Sequence, residues 1–284
     1  MKPLPDEAVQ RLVQLALAED IGRGDVTTLA LVSKSARARA SMRARETLVV
    51  SGLPVAEAVF RELAPEIRVE RCVEEGARAA TGEALLHVSG PARALLAGER
   101  VALNFVQRLA GIATLTAEFV QAVKGTGTKV LDTRKTTPGL RILEKYAVTC
   151  GGGHNHRHAL SEMILIKDNH LIALRHASPN PIVVAIERAR AIYPKINIEV
   201  ETETLEQVAQ AADAGADVIL LDNMDFKHLR AAVRLVAGRA RIEASGGVNL
   251  SNAREIAETG VDFISVGALT HSARSMDIGL DFER

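Results

Sequence analysis

The feature that most narrows the choice of fold is a repeat of strand-like runs in the second half of the chain. From Lys129 onward six short apolar runs follow one another: KVLDT, MILIK, INIEVE, VILLD, RIEAS and FISVG. Stretches with helical spacing separate them, for example 205–214 and 253–259. Near-continuous apolar strands alternating with amphipathic helices predict a parallel sheet buried on both faces. Polar residues stand at or just past the run ends: Lys167, Glu201, Asp222 and Ser245, with Gly267 closing the set. The steps from Glu201 to Gly267 are 21, 23 and 22 residues, one strand–helix unit each. In a (β/α) barrel the strand C-termini converge on one mouth, so these residues would meet there. Six units fall short of the eight that close such a barrel. An incomplete barrel, a barrel with strands not yet recognised, and an open doubly wound sheet all fit.

The first half is patterned differently. Residues 6–20 place Val9, Leu12, Val13, Ala16 and Leu17 on one helix face, and Gly22 and Gly24 stop that helix. ARARASMRAR, residues 36–45, alternates strictly and predicts a strand with an arginine-covered face. Short strands are expected at 48–50, 67–73 and 84–88, and a helix at 55–63. A long helical pattern from 92 to 124 is expected to break near Gly111.

Composition removes several function classes. The chain of 284 residues carries 35 Lys+Arg against 35 Asp+Glu, a net charge of zero, whereas a nucleic-acid binder needs surplus cations. Aromatic residues make up 3%, with no Trp, which argues against base-stacking platforms. No apolar stretch long enough to cross a membrane occurs, and MKPLPDEAVQ has no signal-peptide core, so a cytoplasmic protein is expected. Cys72 and Cys150 form neither a disulfide framework nor a zinc motif. The zero balance hides segregation: residues 134–170 carry six Lys/Arg against three Asp/Glu, and residues 198–222 carry seven Asp/Glu and no Lys or Arg.

Four segments could carry chemistry. LDTRKTTPGLR (131–141) follows the first barrel strand and offers Arg134 and Lys135 to carboxylate or phosphate, or else is a solvated turn. CGGGHNHRHALSEMILIKDNH (150–170) combines three glycines, which suit a loop wrapping an anion, with His154, His156 and His158. Those histidines read either as metal ligands of a barrel hydrolase or, for His156 with Arg157 and Lys167, as an anion-binding set. Lys167 ends an apolar strand and needs a partner, either a ligand or a salt bridge to Asp168 or Glu201. Glu201 and Asp222 supply hard oxygens suited to Mg²⁺ held with substrate phosphates, and Glu199 shares the side-chain parity of Glu201, so either glutamate could point inward. Ser245-Gly246-Gly247 and Gly267 follow the last two strands, with His271 close behind, and suit a phosphate cradle of backbone N–H groups.

LAEDIGRGDVTT, ERVALNFVQRLAGIAT, DTRKTTPGLR, GGGHNHRHALSEMILIKDNH, LLDN and EASGGVN, in that order, resemble the quinolinate phosphoribosyltransferase family across nearly the whole chain. The resemblance implies an α/β fold with an N-terminal α/β sandwich domain and an incomplete, open α/β barrel of about six βα units. Residues 1–112 would form the first domain with its helical connector, 113–271 the catalytic barrel, and 272–284 a tail packing back on the first. It implies conversion of quinolinate and phosphoribosyl pyrophosphate into nicotinate mononucleotide, pyrophosphate and CO₂, with Mg²⁺, in NAD biosynthesis. Arg134, Lys135, His156, Arg157 and Lys167 would line the quinolinate and phosphate site. Glu201 and Asp222 would hold ribose hydroxyls and the metal, directly or through water. Ser245, Gly246, Gly247, Gly267 and His271 would hold the 5′-phosphate. Lys135, Lys167, Glu201 and Asp222 would surround the reacting centre. Arg100 would reach across a homodimer interface into the partner's site, with higher assembly open. The homologue associated with molybdate operons, a metal-dependent barrel hydrolase and a phosphate-ligand sensor without turnover are the other readings.

Overall fold

The computed structural model describes residues 2–283. In chain order the first elements are α1 (Asp6–Ile21), α2 (Val26–Leu31), β1 (Arg37–Ala44), β2 (Leu48–Val49), α3 (Leu53–Leu63), β3 (Arg68–Arg71), β4 (Arg78–Ala79), β5 (Ala84–Pro91) and α4 (Ala92–Ala122). There follow β6 (Lys129–Leu131), α5 (Arg141–Cys150), β7 (Ile164–Ile166), α6 (Asp168–Ala173), α7 (Pro181–Ile192), β8 (Ile198–Thr202) and α8 (Leu205–Asp213). The last are β9 (Val218–Asp222), α9 (Phe226–Val236), β10 (Arg241–Ser245), α10 (Ala253–Ala257), β11 (Phe263–Ser265), α11 (Ala268–His271) and β12 (Ile278–Phe282). Two compact units result: one of residues up to 117, Thr136–Gly152 and those from Leu269 on, the other of Glu118–Lys135 and Gly153–Ala268.

The first unit holds an antiparallel sheet ordered β12-β1-β5-β3 and a small β2-β4 ladder. The alternation in β1 buries Ala40, Met42 and Ala44, while Arg37 and Arg39 face solvent. Ser41 departs from the alternation: it is buried because its hydroxyl pairs with His87 Nδ1 across the ladder at 2.7 Å. From α3, Val55, Val59 and Phe60 are fully buried, each contributing about 1.5–3 kcal/mol of apolar burial. The C-terminal strand β12 closes the free edge of β1 and has no counterpart among the expected strands, nor has β4.

One expectation needs revision. α4 runs unbroken through Gly111. One glycine costs a helix only about 1 kcal/mol, and here it serves a close approach: a Cβ on Gly111 would come within 1.8 Å of the Arg274 carbonyl oxygen. The two compact units divide within this helix, and α5 packs in the first unit. The cause is the buried side of α5, where Leu143, Ala147 and Val148 are joined by a fully buried Glu144 paired with Arg108 of α4 at 2.9 Å.

The second unit is a six-stranded parallel sheet ordered β6-β11-β10-β9-β8-β7. All six predicted strands are present. Among the described residues no ladder joins β6 to β7, so the barrel is incomplete and open. The helices start as the sequence directs: Asn180 caps α7, Thr204 and Gln207 form a capping box on α8, and Asp225 caps α9. Ile198, Val200, Ile219, Leu221, Ile242, Ala244 and Ile264 make the buried apolar register. The alternate positions of β8, β9 and β10 face the other way, and they carry the site. No helix among the described residues is long and apolar enough to cross a membrane.

Candidate active site

The C-terminal ends of the parallel strands surround a cavity of about 650 Å³ built wholly within the second unit. Its lining follows the two-residue period of a strand: Leu165 and Lys167 from β7 and its end, Leu220 and Asp222 from β9, Glu243 and Ser245 from β10. Glu201 from β8 and Ser265 from β11 complete that side. Thr133, Arg134 and Lys135 after β6, with His156 and Arg157, complete the other. Ten of the thirteen expected site residues therefore share one cavity. The exceptions are Gly267, which follows β11 without lining it, and Arg100 and His271, exposed residues of the first unit. His271 Nδ1 lies 2.6 Å from Ser272 Oγ.

The loop bearing Arg157 is held by a carboxylate that the sequence reading passed over. His154 bridges Leu131 alongside β6. Asp132, fully buried, accepts from Asn155 Nδ2 at 2.6 Å and from the His156 backbone N–H at 2.9 Å. Thus Asn155 binds Asp132, His156 points inward, and Arg157 reaches the cavity wall. Gly151 and Gly152, expected to wrap a ligand, instead end α5 in the first unit. The three alternating histidines do not converge either: His158 is exposed beside Glu162, and only His156 joins other candidate ligands.

The charges separate by wall. Arg157 donates Nη1 to the Met163 carbonyl at 2.8 Å, while its buried Nε has no partner. Burial lowers its pKa, the neighbouring Arg134 guanidinium lowers it further, and Glu199 opposes both. Two guanidiniums crowded in this way favour an anion between them. At the mouth Lys167 Nζ pairs with Glu201 Oε2 at 2.5 Å, one of the two salt bridges its position foretold. Asp222 Oδ2 accepts from Asn223 Nδ2 at 2.8 Å. Gly246 has φ of 89°, and a Cβ there would meet Asn223 Oδ1 at 2.2 Å, so only glycine fits beside that side chain.

On the floor, His156, Glu199 and Glu243 offer one ligand atom each within 4.8 Å of one another, close enough to coordinate a divalent ion. Of these, the sequence points to Glu199 only through the parity it shares with Glu201, and Glu243 is missing from the residues it singles out. The signal was parity: each lies two positions before a mouth residue, Glu201 or Ser245, inside an otherwise apolar run. Burial and then the adjacent Glu199 carboxylate raise the Glu243 pKa well above the ordinary carboxylate value, against a hydrogen bond from Ser265. His156 Nδ1 accepts the Arg157 backbone N–H at 2.8 Å, which leaves its own proton on Nε2, the nitrogen facing the carboxylates. Glu201 and Asp222, expected from sequence to hold the metal, are not part of this cluster. Neither cysteine lies here. The buried Cys150 thiol is pushed up to about 12, chiefly by burial, and is no nucleophile at neutral pH.

A cavity lined with both cations and carboxylates at the strand ends of an open parallel barrel marks the chain as an α/β-barrel enzyme. The family follows from direct comparison. Residues 25–110 match the N-terminal domain, and residues 112–281 the C-terminal domain, of quinolinate phosphoribosyl transferase. The chain belongs to this family. It is 44% identical over 281 residues, 97% of each chain, to nicotinate-nucleotide pyrophosphorylase [carboxylating] of Mycobacterium leprae. Its fold superposes on NadC from Streptococcus pyogenes with a TM-score of 0.94, at 40% identity and all of both chains. With the nicotinate-nucleotide pyrophosphorylase of Francisella tularensis the TM-score is 0.93, at 36% identity over 99% of this chain and 98% of that one.

Proposed function

We propose that the enzyme transfers the phosphoribosyl group of phosphoribosyl pyrophosphate to quinolinate and decarboxylates the product to nicotinate mononucleotide. The observation that carries this reading is the single cavity with cations on one wall and strand-end carboxylates on the other, in a member of this family. Arg134, Lys135, Arg157 and Lys167 grip the two carboxylates of quinolinate, with His156 beside them. Glu201 and Asp222 take the ribose hydroxyls and Mg²⁺, and Ser245, Gly246, Gly247, Gly267 and His271 the 5′-phosphate. Arg100 acts in the partner subunit's site, which makes a homodimer of the cytoplasm the working unit.

The quinolinate nitrogen forms a bond to the ribose anomeric carbon while the bond from that carbon to pyrophosphate breaks, the electron pair leaving with pyrophosphate. The carboxylates of Glu201 and Asp222 favour the positive charge that develops on the ribose. The cationic wall orients the ring for in-line attack. Quaternising the nitrogen makes the adjacent carboxylate a leaving group: the ring–carboxylate bond breaks, CO₂ departs, and its electron pair stays on the ring carbon. Lys135 or Lys167 stabilises that carbanion until it takes up a proton. Mg²⁺, when bound, neutralises charge on the departing pyrophosphate.

Purified enzyme supplied with quinolinate, phosphoribosyl pyrophosphate and Mg²⁺ should form nicotinate mononucleotide, and chelating the Mg²⁺ should abolish it. Turnover of nicotinate but not quinolinate would overturn the assignment.

A further inference from the structure

The floor holds two buried carboxyl groups to which this reaction gives no task. Glu199 is 0% exposed and Glu243 2%. A buried carboxylate is costly unless its oxygens accept hydrogen bonds. Glu199 Oε2 lies 2.9 Å from His156 Nε2, and the other ring nitrogen, Nδ1, accepts the Arg157 backbone N–H at 2.8 Å. With its proton on Nδ1 instead, the imidazole would set donor against donor at Arg157 and lone pair against carboxylate at Glu199. The pairing of Glu199 with Nε2 and of Nδ1 with the Arg157 backbone is therefore self-consistent in one tautomer only. Glu199 Oε1 has no conventional donor.

We propose that Glu199 is a positioning residue: by accepting the Nε2 proton of His156 it holds the imidazole in the tautomer whose Nδ1 anchors the Arg157 backbone, and so sets where Arg157 stands in the anion-binding wall. Asp132 fixes the same loop from the other side through the His156 backbone N–H. Both nitrogens of His156 are spent within the protein, so this histidine acts through Arg157 rather than as a donor to substrate. The functional consequence rests on reading the cavity as the quinolinate site.

The test uses the full-length enzyme and two variants. Glu199→Gln keeps an acceptor oxygen, whereas Glu199→Leu removes it at similar size. Ring-nitrogen chemical shifts of His156 in isotopically labelled wild-type enzyme, without substrate, should show the proton on Nε2. Glu199→Gln should keep that signature and near-wild-type kinetics. Glu199→Leu should lose it and raise the quinolinate KM about tenfold or more, the worth of one hydrogen bond to a charged group. Its KM for phosphoribosyl pyrophosphate should stay within about twofold. A proton on Nδ1 in wild type, an unaltered quinolinate KM in Glu199→Leu, or a Glu199→Gln variant as impaired as Glu199→Leu would each overturn the proposal. Wild-type enzyme inactive on quinolinate, with the Nε2 signature present, would fault the reaction assignment and leave the tautomer standing.

Discussion

Mouth and floor of the cavity carry the same residue types at the same strand parity, yet their surroundings give them different chemistry. Glu201 and Asp222 stand at the mouth, partly exposed, the first paired with Lys167 and the second with Asn223. One pleat deeper, about 7 Å along the strand, Glu199 is sealed from water, as is Glu243 one pleat below Ser245. Water at the mouth lets an ion pair open and exchange partners when a charged substrate arrives. On the floor, shielded from bulk solvent, Glu199 is instead held beside His156 Nε2 at 2.9 Å. On the proposed function, depth thus separates the groups that meet ligand from those that aim them.

That separation can be broken by substitution. The largest effect belongs to the mouth: Asp222→Ala should lower kcat/KM by about a hundredfold or more, measured with both substrates, because on the proposed function a group aimed at developing charge is lost. A comparable loss confined to stability would make Asp222 a structural residue. On the cationic wall, Arg134→Ala should raise the quinolinate KM by about tenfold or more and leave that for phosphoribosyl pyrophosphate nearly unchanged. Equal effects on both would erase the division into two walls.

The smallest kinetic effect belongs to Glu243→Gln, which keeps a neutral donor and should hold kcat/KM within about threefold. Its mark is on stability. Glu243 is protonated in the folded state above the pH at which an unfolded glutamic acid, near 4.5, has ionised. The unfolded state then binds fewer protons, so unfolding free energy falls as pH rises above about 4.5 toward the raised folded value. Chemical denaturation across that range should show this decline in the wild type and a flatter profile in Glu243→Gln. Identical profiles would mean that Glu243 is ionised in the fold.

Much of this was legible in the sequence, for identifiable reasons. Buried parallel strands carry their own apolar signal, so all six were visible, and the polar residues at their ends marked the mouth. What lay inside the runs was harder to assign. Glu199 and Glu243 obey the same parity as Glu201 and Ser245, but parity gives a face and not a depth, and only burial tells a ligand contact from a scaffold. The alternating His154, His156 and His158 suggested a shared site, yet a segment pinned along β6 turns only the middle one inward. Gly111 and Gly151 resembled a helix break and a ligand loop. They are close contacts between segments far apart in sequence, Arg274 for one and Ala113 for the other, which no local pattern reveals. The two-residue strand β4 and the edge strand β12 depend on pairing partners in the same way.

The central claim is that ring attachment makes the departing carboxylate leave. Quinolinate radiolabelled at the carboxylate beside the ring nitrogen tests it most directly. Labelled CO₂ should be released only when phosphoribosyl pyrophosphate and Mg²⁺ are both present, in equal amount to the pyrophosphate formed. Release without phosphoribosyl pyrophosphate, or pyrophosphate formed without labelled CO₂, would contradict the account.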